Sequence, residues 1–295
     1  MTAQIISGTE IARQIREELK VEIADLKAKY NLVPGLATVL VGEDPASQVY
    51  VGQKEKASLA LGIYSERHDI PVKTTQSELL ALVDKLNRSP KIHGILVQLP
   101  LPKHLNETEV LYSIDSRKDV DGFHPMNLGK LMIGEPDYIP CTPHGIQQLL
   151  VRSGVQIDGA EVVVVGRSNI VGKPIANILL QKKPGANATV TICHTGTRDM
   201  AFHTRRADIL IVAAGRPKAI TADMVKEGVV VIDVGVNRIG KTAEGKDILV
   251  GDVDFEGVKE KAKAITPVPG GVGPMTITML MLNTVRAAKI AAGIA

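Results

Sequence analysis

The chain has 295 residues, 44% hydrophobic and 23% charged, with a formal net charge of +3. That length suits about two domains. The charges are interspersed without a basic stripe, so no nucleic-acid partner is expected. The two cysteines, Cys141 and Cys193, lie outside any Cys-x-x-Cys pair, which argues against a disulfide framework or a zinc knuckle. Met1–Gly8 does not read as a secretory leader, and no apolar run reaches the roughly 18 residues of a membrane span. A cytoplasmic protein without membrane association is expected.

Aromatic residues are only 3% of the chain, so the cores must be built from Val, Ile, Leu and Ala. Ile11, Ile15, Leu19, Ile23 and Leu26 recur at helical spacing and predict a helix over 9–29. Leu36–Val41 reads as a buried strand closed by Gly42-Glu43-Asp44-Pro45, and Ala46–Leu61 as a helix. A strand over Ile63–Ile70, a helix over Glu78–Asn87 and an apolar strand over Gly94–Leu99 follow, the last ended by Pro100-Leu101-Pro102. Such alternation predicts a parallel α/β sheet. Residues 115–145, rich in Asp, Gly and Pro, are expected to be a loop that carries function or crosses between domains.

A second series begins near Gly159. Strands are expected at Glu161–Val165, Ala188–Cys193, Asp208–Ala213 and Val229–Val234, with a helix over Pro174–Gln181 and a final helix from about 275 to Ala292. The fold class expected is α/β: two α/β domains flanking a cleft, the second Rossmann-like. Residues 1–145 form the first domain, to which the helix 275–295 returns, and 146–274 the second.

Strand Glu161–Val165 runs into Gly166-Arg167-Ser168-Asn169-Ile170-Val171-Gly172-Lys173-Pro174 and then a helix. A glycine turn there lets the backbone approach a phosphate, and a helix N-terminus supplies free N–H groups and a positive dipole end. The spacing is Gly-x5-Gly rather than G-x-G-x-x-G, so the turn alone also fits a tight connection that binds nothing. The next strand ends at Cys193-His194-Thr195-Gly196-Thr197-Arg198, where an NAD enzyme usually places an acid for the ribose 2′-hydroxyl. No acid occupies Ile192–Arg198. Arg167, inside the turn, suits a 2′-phosphate and hence NADP; Arg198 fits a solvated helix face equally well.

Ser47, Tyr50 and Lys54 share one helix face at i, i+3 and i+7. A lysine whose pKa is lowered by burial can exchange protons near neutral pH, although a lone Tyr-x-x-x-Lys is more often an ordinary amphipathic surface. Short-chain dehydrogenases also use Tyr-x-x-x-Lys, but their glycine turn precedes the tyrosine. Here it follows by more than a hundred residues, and that reading is rejected.

Five segments, in order, resemble the methylenetetrahydrofolate dehydrogenase/methenyltetrahydrofolate cyclohydrolase family: Tyr50-Val-Gly-Gln-Lys54, Val97-Gln-Leu-Pro-Leu-Pro102, Lys118-Asp-Val-Asp-Gly122, Gly166 to Pro174, and Pro269-Gly-Gly-Val-Gly-Pro-Met-Thr276. The resemblance covers nearly the whole chain. It implies that the first domain binds folate and the second NADP, that Lys54 is the catalytic lysine, and that Tyr50 packs on the folate. It further implies that Gln98 hydrogen-bonds and tunes Lys54, and that Asp121 binds the pterin, with Val97, Leu99, Pro269, Gly270, Gly271, Val272 and Gly273 also on the substrate. Gly166, Arg167, Ser168, Thr195 and Val236 would line the cofactor site, in a cytoplasmic homodimer. The family often has Cys-His-Ser where this chain has Cys193-His194-Thr195; threonine keeps the hydroxyl.

The seven histidines show no paired metal spacing, and no metal is expected. His124 and His194 are expected in structural or solvated roles, and Lys118 and Asp119 as surface loop charges. The expected reaction is hydride transfer from 5,10-methylenetetrahydrofolate to NADP, then hydration of the methenyl cation to 10-formyltetrahydrofolate. A shikimate-type dehydrogenase would share the layout without explaining Val97–Pro102 or Pro269–Thr276. A silent dinucleotide sensor would not need Tyr50, Lys54, Gln98 and Asp121 together.

Overall fold

The computed structural model describes residues 3–242, 245 and 247–294. The chain divides into two units, Met1–Arg13 with Thr142–Thr276, and Gln14–Cys141 with Ile277–Ala295. It begins with β1 (Gln4–Ile5) and α1 (Gly8–Tyr30), and the division falls inside that helix. Met1–Arg13 thus group with the other compact unit, whereas the expected division 1–145 counts them in the first domain. The reason is pairing: Gln4 and Ile5 lie parallel to Ala264 and Ile265 at the edge of the other unit's sheet.

In the unit of Gln14–Cys141, β2 (Gly35–Val41), α2 (Pro45–Leu61), β3 (Tyr64–Ile70), α3 (Gln76–Arg88) and β4 (Gly94–Val97) alternate. Both β3 and β4 pair with β2 in parallel, giving the order β3-β2-β4. The central strand is buried along its whole length, as its unbroken apolar run requires. Val39, Val41, Ile95 and Val97 pack against Leu79, Val83 and Leu86 of α3. Thr75 and Glu78 close a reciprocal capping box at the start of that helix.

Residues 115–145 are not one loop. They contain α5 (Pro125–Met132), after the short α4 (Glu107–Ser113), and the beginning of α6 (Cys141–Arg152). With eight residues, α5 is too short to show a period in sequence, but its start is well specified. His124 caps it by accepting the Met126 N–H, and Pro125 occupies its first turn.

The other unit holds β5 (Glu161–Val165), α7 (Gly172–Leu180), β6 (Thr189–Cys193), α8 (Met200–Thr204), β7 (Ile209–Val212), β8 (Val230–Asp233), the antiparallel pair β9 (Asn237–Lys241) and β10 (Asp247–Val250), α9 (Phe255–Val258) and β11 (Ala264–Ile265). Helix α10 (Val272–Ala291) begins in this unit, and from Ile277 on it belongs to the unit of Gln14–Cys141. The six-stranded sheet runs β1-β11-β8-β7-β5-β6, every pair parallel. From β5 the chain goes first to β6 on one side and then to β7 on the other. The strand order thus reverses between β5 and β7, where open α/β sheets take ligands at their carboxyl ends.

Candidate active site

The functional side chains form one cluster in each unit. In the first, Asp44 caps α2 by accepting the Ser47 N–H at 2.8 Å, with Pro45 at the first turn. The helix then buries Ser47, Val51, Lys54, Ala57, Ser58 and Leu61 on one stripe. Lys54 is thus a charge on an apolar face, 9% exposed, while Tyr50 one turn earlier is 40% exposed. Gln98 follows the last residue of β4; the ladder ends at Val97, two residues short of the expected Leu99. Its side-chain oxygen accepts from Lys54 Nζ at 2.9 Å, and its amide nitrogen donates to the Leu99 carbonyl. Burial holds the Lys54 ammonium below its ordinary value, opposed by Asp121. Burial likewise raises Asp121, opposed by Lys54.

Asp121 is held by a loop built around Asp119. That residue is no surface charge: it is 2% exposed, and its carboxylate accepts the N–H groups of Gly122, Phe123 and His124 and the side-chain amide of Asn127. Lys118 is also structural, its ammonium donating to the Leu86 and Ser89 carbonyls at the end of α3. The loop lies along β4 through an Ile95–Asp119 bridge, an approach that needs Gly94, where an added Cβ would meet Val120 at 2.6 Å.

Two residues of this cluster had no motif to announce them. Cys141 is buried, and burial first, then the neighbouring Asp121, drive its thiol well above the ordinary value, opposed by Lys54. Asn283 of α10, 1% exposed, donates to the carbonyls of Val120 and Ile139 at 2.8 and 2.9 Å. A lone Asn in the apolar run Met279–Val285 was the available signal. Asn283→Ala removes the amide donor from both carbonyls, leaving Val120 only the weak Cys141 thiol, and each such loss costs about 1–3 kcal/mol. Urea unfolding should show a lower midpoint with an unchanged slope.

In the other unit the glycine turn stands at the order reversal. Gly166 has φ +125°, and an added Cβ would strike the Ala213 carbonyl at 2.3 Å, so only glycine fits. Gly172 packs as closely on Gly166. Ser168 Oγ accepts from the Val171 and Gly172 N–H groups, holding the turn against the start of α7. The ends of β5 and β6 adjoin, Val165 opposite Cys193, which brings the turn beside His194–Arg198. Arg167, Thr195 and Arg198 are exposed. His194 accepts the Gly196 N–H, and the nearest acid, Asp199, is occupied in capping α8. Val236 is 49% exposed after β8. These features fit a phosphorylated ribose: a backbone cradle, an accessible guanidinium, hydroxyls and no competing carboxylate.

Pro269–Gly273 lie in this same unit. Thr9 N–H donates to the Gly270 carbonyl, and a Cβ on Gly8 would fall 1.7 Å from the Gly271 carbonyl, so glycines on both sides let the segment pack on α1. Two expected contact residues turn their side chains inward: Val97 is 2% and Val272 5% exposed. Among the described residues no group of three His, Cys, Asp or Glu could hold a metal ion.

A glycine turn at the order reversal of a parallel sheet, with a second α/β unit carrying a buried lysine beside an acid, defines a two-domain dinucleotide-dependent enzyme. The comparisons narrow this: the chain belongs to the tetrahydrofolate dehydrogenase/cyclohydrolase family, whose catalytic-domain model matches residues 6–121 and whose NAD(P)-binding-domain model matches residues 140–292. The bifunctional protein FolD of Syntrophus aciditrophicus is 69% identical over 294 residues, covering 100% of both chains. The bifunctional methylenetetrahydrofolate dehydrogenase/cyclohydrolase of Campylobacter jejuni superposes with a TM-score of 0.91 at 49% identity, over 98% of this chain and 99% of that one. The Trypanosoma brucei enzyme, solved with NADP and an inhibitor, gives 0.93 at 39% identity over 99% of each.

Proposed function

We propose that Lys54 is the acid–base group of a folate site on the unit of Gln14–Cys141, and that Gln98 and Asp121 set its charge state. The chain is a bifunctional methylenetetrahydrofolate dehydrogenase and methenyltetrahydrofolate cyclohydrolase of one-carbon metabolism, using NADP. The observation that carries the reading of the site is a buried lysine donating to Gln98 at 2.9 Å, with its charge balanced against Asp121.

Tyr50 offers an exposed ring one turn before Lys54 at the edge of the buried stripe, suited to stacking on a pterin, and the Asp121 carboxylate can accept two parallel N–H bonds from the pterin's 2-amino and N3 positions. Bound NADP supplies the hydride acceptor for the methylene carbon. In the hydrolysis, Lys54 takes a proton from the water attacking the methenyl carbon and returns it to the folate nitrogen N5 as the bond from that carbon to N5 breaks, leaving the formyl group on N10. Leu99 and the backbone of Val97 complete the substrate contacts on this unit, and Gly166, Arg167, Ser168, Thr195 and Val236 those to NADP on the other. Folate is assigned to Gln14–Cys141 with Ile277–Ala295, and the dinucleotide to Thr142–Thr276. We further assign a homodimer in the cytoplasm. Among the described residues no helix is long and apolar enough to cross a membrane, and both cysteines are free and buried. Sedimentation should give twice the chain mass.

One steady-state assay tests the whole reading: with methylenetetrahydrofolate, NADP should be reduced in preference to NAD, and methenyl and then formyl product should appear. Arg167→Ala should raise the Michaelis constant for NADP about tenfold, since charge-assisted bonds to phosphate are roughly twice as strong as neutral ones, and should leave that for NAD nearly unchanged. Equal effects would remove Arg167 from the 2′-phosphate.

A further inference from the structure

The carboxyl edge of the six-stranded sheet contains two buried aspartates that the chemistry above does not use. Asp233 ends β8 and is 3% exposed; Asp252 follows β10 and is fully buried. Burying a carboxylate is costly unless it is fully hydrogen-bonded, and both are. Asp252 Oδ2 accepts the N–H groups of Ala214 at 2.6 Å and Gly215 at 2.8 Å, and its Oδ1 accepts from the Asn237 side-chain amide at 2.8 Å. Asp233 Oδ1 accepts the N–H groups of Gly235 and Asp252 at 2.9 Å each, and its Oδ2 that of Val253 at 3.0 Å. The glycines beside them leave no room for slack: a Cβ on Gly235 would lie 2.2 Å from Asp252 Oδ1, and one on Gly251 1.8 Å from Asp233 Oδ2.

Three loops are thereby tied together: 213–215 after β7, 234–237 after β8, and 251–253 after β10. Their position gives the tie its meaning. Ala213 is the residue whose carbonyl faces Gly166 across the order reversal, and its N–H donates to the Val165 carbonyl. The loop that Asp252 grips is therefore the wall opposite the phosphate turn, and the Asn237 bond fixes the loop carrying exposed Val236. A carboxylate accepting N–H bonds makes stronger ties than a neutral acceptor. Oxygen atoms with no N–H of their own also cannot compete for the loop's acceptors.

We propose that Asp252, braced by Asp233, is a positioning residue for cofactor binding: it holds loops 213–215 and 234–237 at the spacing from the Gly166 turn that a dinucleotide requires. This rests on the assignment of NADP to this unit. Asp252 acts through the loops and has no part in the hydration step, which takes place at Lys54 in the other unit.

The test uses the full-length enzyme and four readouts: the NADP dissociation constant by calorimetry, the Michaelis constant for NADP, cyclohydrolase activity on methenyltetrahydrofolate supplied directly, and the thermal midpoint. Misplacement of about 1 Å away from the reacting atoms can cost as much as 100-fold. Asp252→Ala should raise the NADP dissociation constant about tenfold or more, with cyclohydrolase activity close to that of the unmodified enzyme. Asp252→Asn should recover most of the affinity, because one oxygen still serves Ala214 and Gly215 while a rotated Asn237 amide accepts from the new NH2. An unchanged NADP constant in Asp252→Ala, or an equal fall in both activities, would overturn the inference. Should Asp252→Ala not fold, Asn237→Ala cuts the same tie from the Val236 side. It should weaken NADP a few-fold, and an unchanged constant would equally overturn the inference. Arg167→Ala separates the two levels. If it weakens NADP while the Asp252 variants do not, only the positioning role fails; if neither weakens NADP, the cofactor assignment fails and takes the inference with it.

Discussion

Replacing Lys54 with Met should nearly abolish cyclohydrolase activity and leave measurable dehydrogenase activity, so that methenyltetrahydrofolate accumulates. The two reactions ask different things of the protein. Hydride transfer between two bound rings needs alignment, and alignment comes from every contact in the site rather than from one side chain. Hydration needs a proton taken from the attacking water and delivered elsewhere, and general acid–base groups contribute about 10²- to 10⁴-fold to such steps. Lys54 is placed for this, buried on α2 with Gln98 accepting from its ammonium. Met matches the length and apolar character of the lysine stem, so the helix stripe is preserved and the variant should fold.

The pH dependence gives a second, independent readout. Burial, the largest influence, lowers the Lys54 pKa, and Asp121 only partly restores it. The cyclohydrolase activity of the unmodified enzyme should therefore rise with pH through a value below the ordinary lysine range, as the amine that accepts the water's proton becomes neutral, and the residual activity of Lys54→Met should lack that rise. The same shift sets the sign of the stability effect. Between the lowered folded value and the ordinary unfolded one, the unfolded chain binds the proton more readily than the folded chain, so this group's contribution to stability rises with pH across that window. Lys54→Met should flatten the rise. An equal fall of both activities would make Lys54 a binding residue only, and no fall in either would make the Tyr50–Lys54 face an ordinary helix surface.

The parts of this fold that were legible in sequence are those where one signal dominates. Buried parallel strands such as Glu161–Val165 and Ile209–Val212 are short runs dominated by Val and Ile, and α1 repeats its apolar residues from Ile11 to Leu26 over about four turns. The strand–glycine turn–helix at Gly166 was equally plain, because a backbone that must approach another backbone closely can be built from little else than glycine. What sequence could not supply was the meaning of polar residues whose partners are distant. Asp119 resembled any loop acid, yet it is the center of its loop, because its partners are N–H groups that every residue possesses. Asn283 lies 163 positions from Val120, and Asp252 37 from Gly215. The pairing of β1 with β11 spans nearly the whole chain and left no mark on the composition of either two-residue strand. The antiparallel pair β9–β10 escaped because β9 is polar and largely exposed and β10, Asp-Ile-Leu-Val, is only four residues, without the apolar alternation by which half-buried strands are recognised.

Asp121→Asn should weaken folate binding roughly 5- to 150-fold, the equivalent of leaving one substrate donor unpaired in a closed site at about 1–3 kcal/mol. The carboxylate presents two acceptors to two parallel donors; the amide presents one acceptor and one donor, and the donor faces another N–H. Shape and volume hardly change. Asp119 still orders the loop, Gly122 still turns at φ +77°, and Asn283 still holds the Val120 carbonyl, so the loss belongs to recognition rather than folding. A second consequence separates this from simple loss of affinity. Asp121 is the first charge that offsets the burial of Lys54, and an uncharged amide removes that offset. The Lys54 pKa should then fall further, moving the rising limb of the cyclohydrolase profile to lower pH at saturating folate. Direct titration with a folate ligand, followed by the pH profile of the same variant, reads both effects. A dissociation constant equal to that of the unmodified enzyme would end the anchoring role. A weakened constant with an unmoved limb would leave Asp121 as an anchor and transfer control of Lys54 to Gln98 alone.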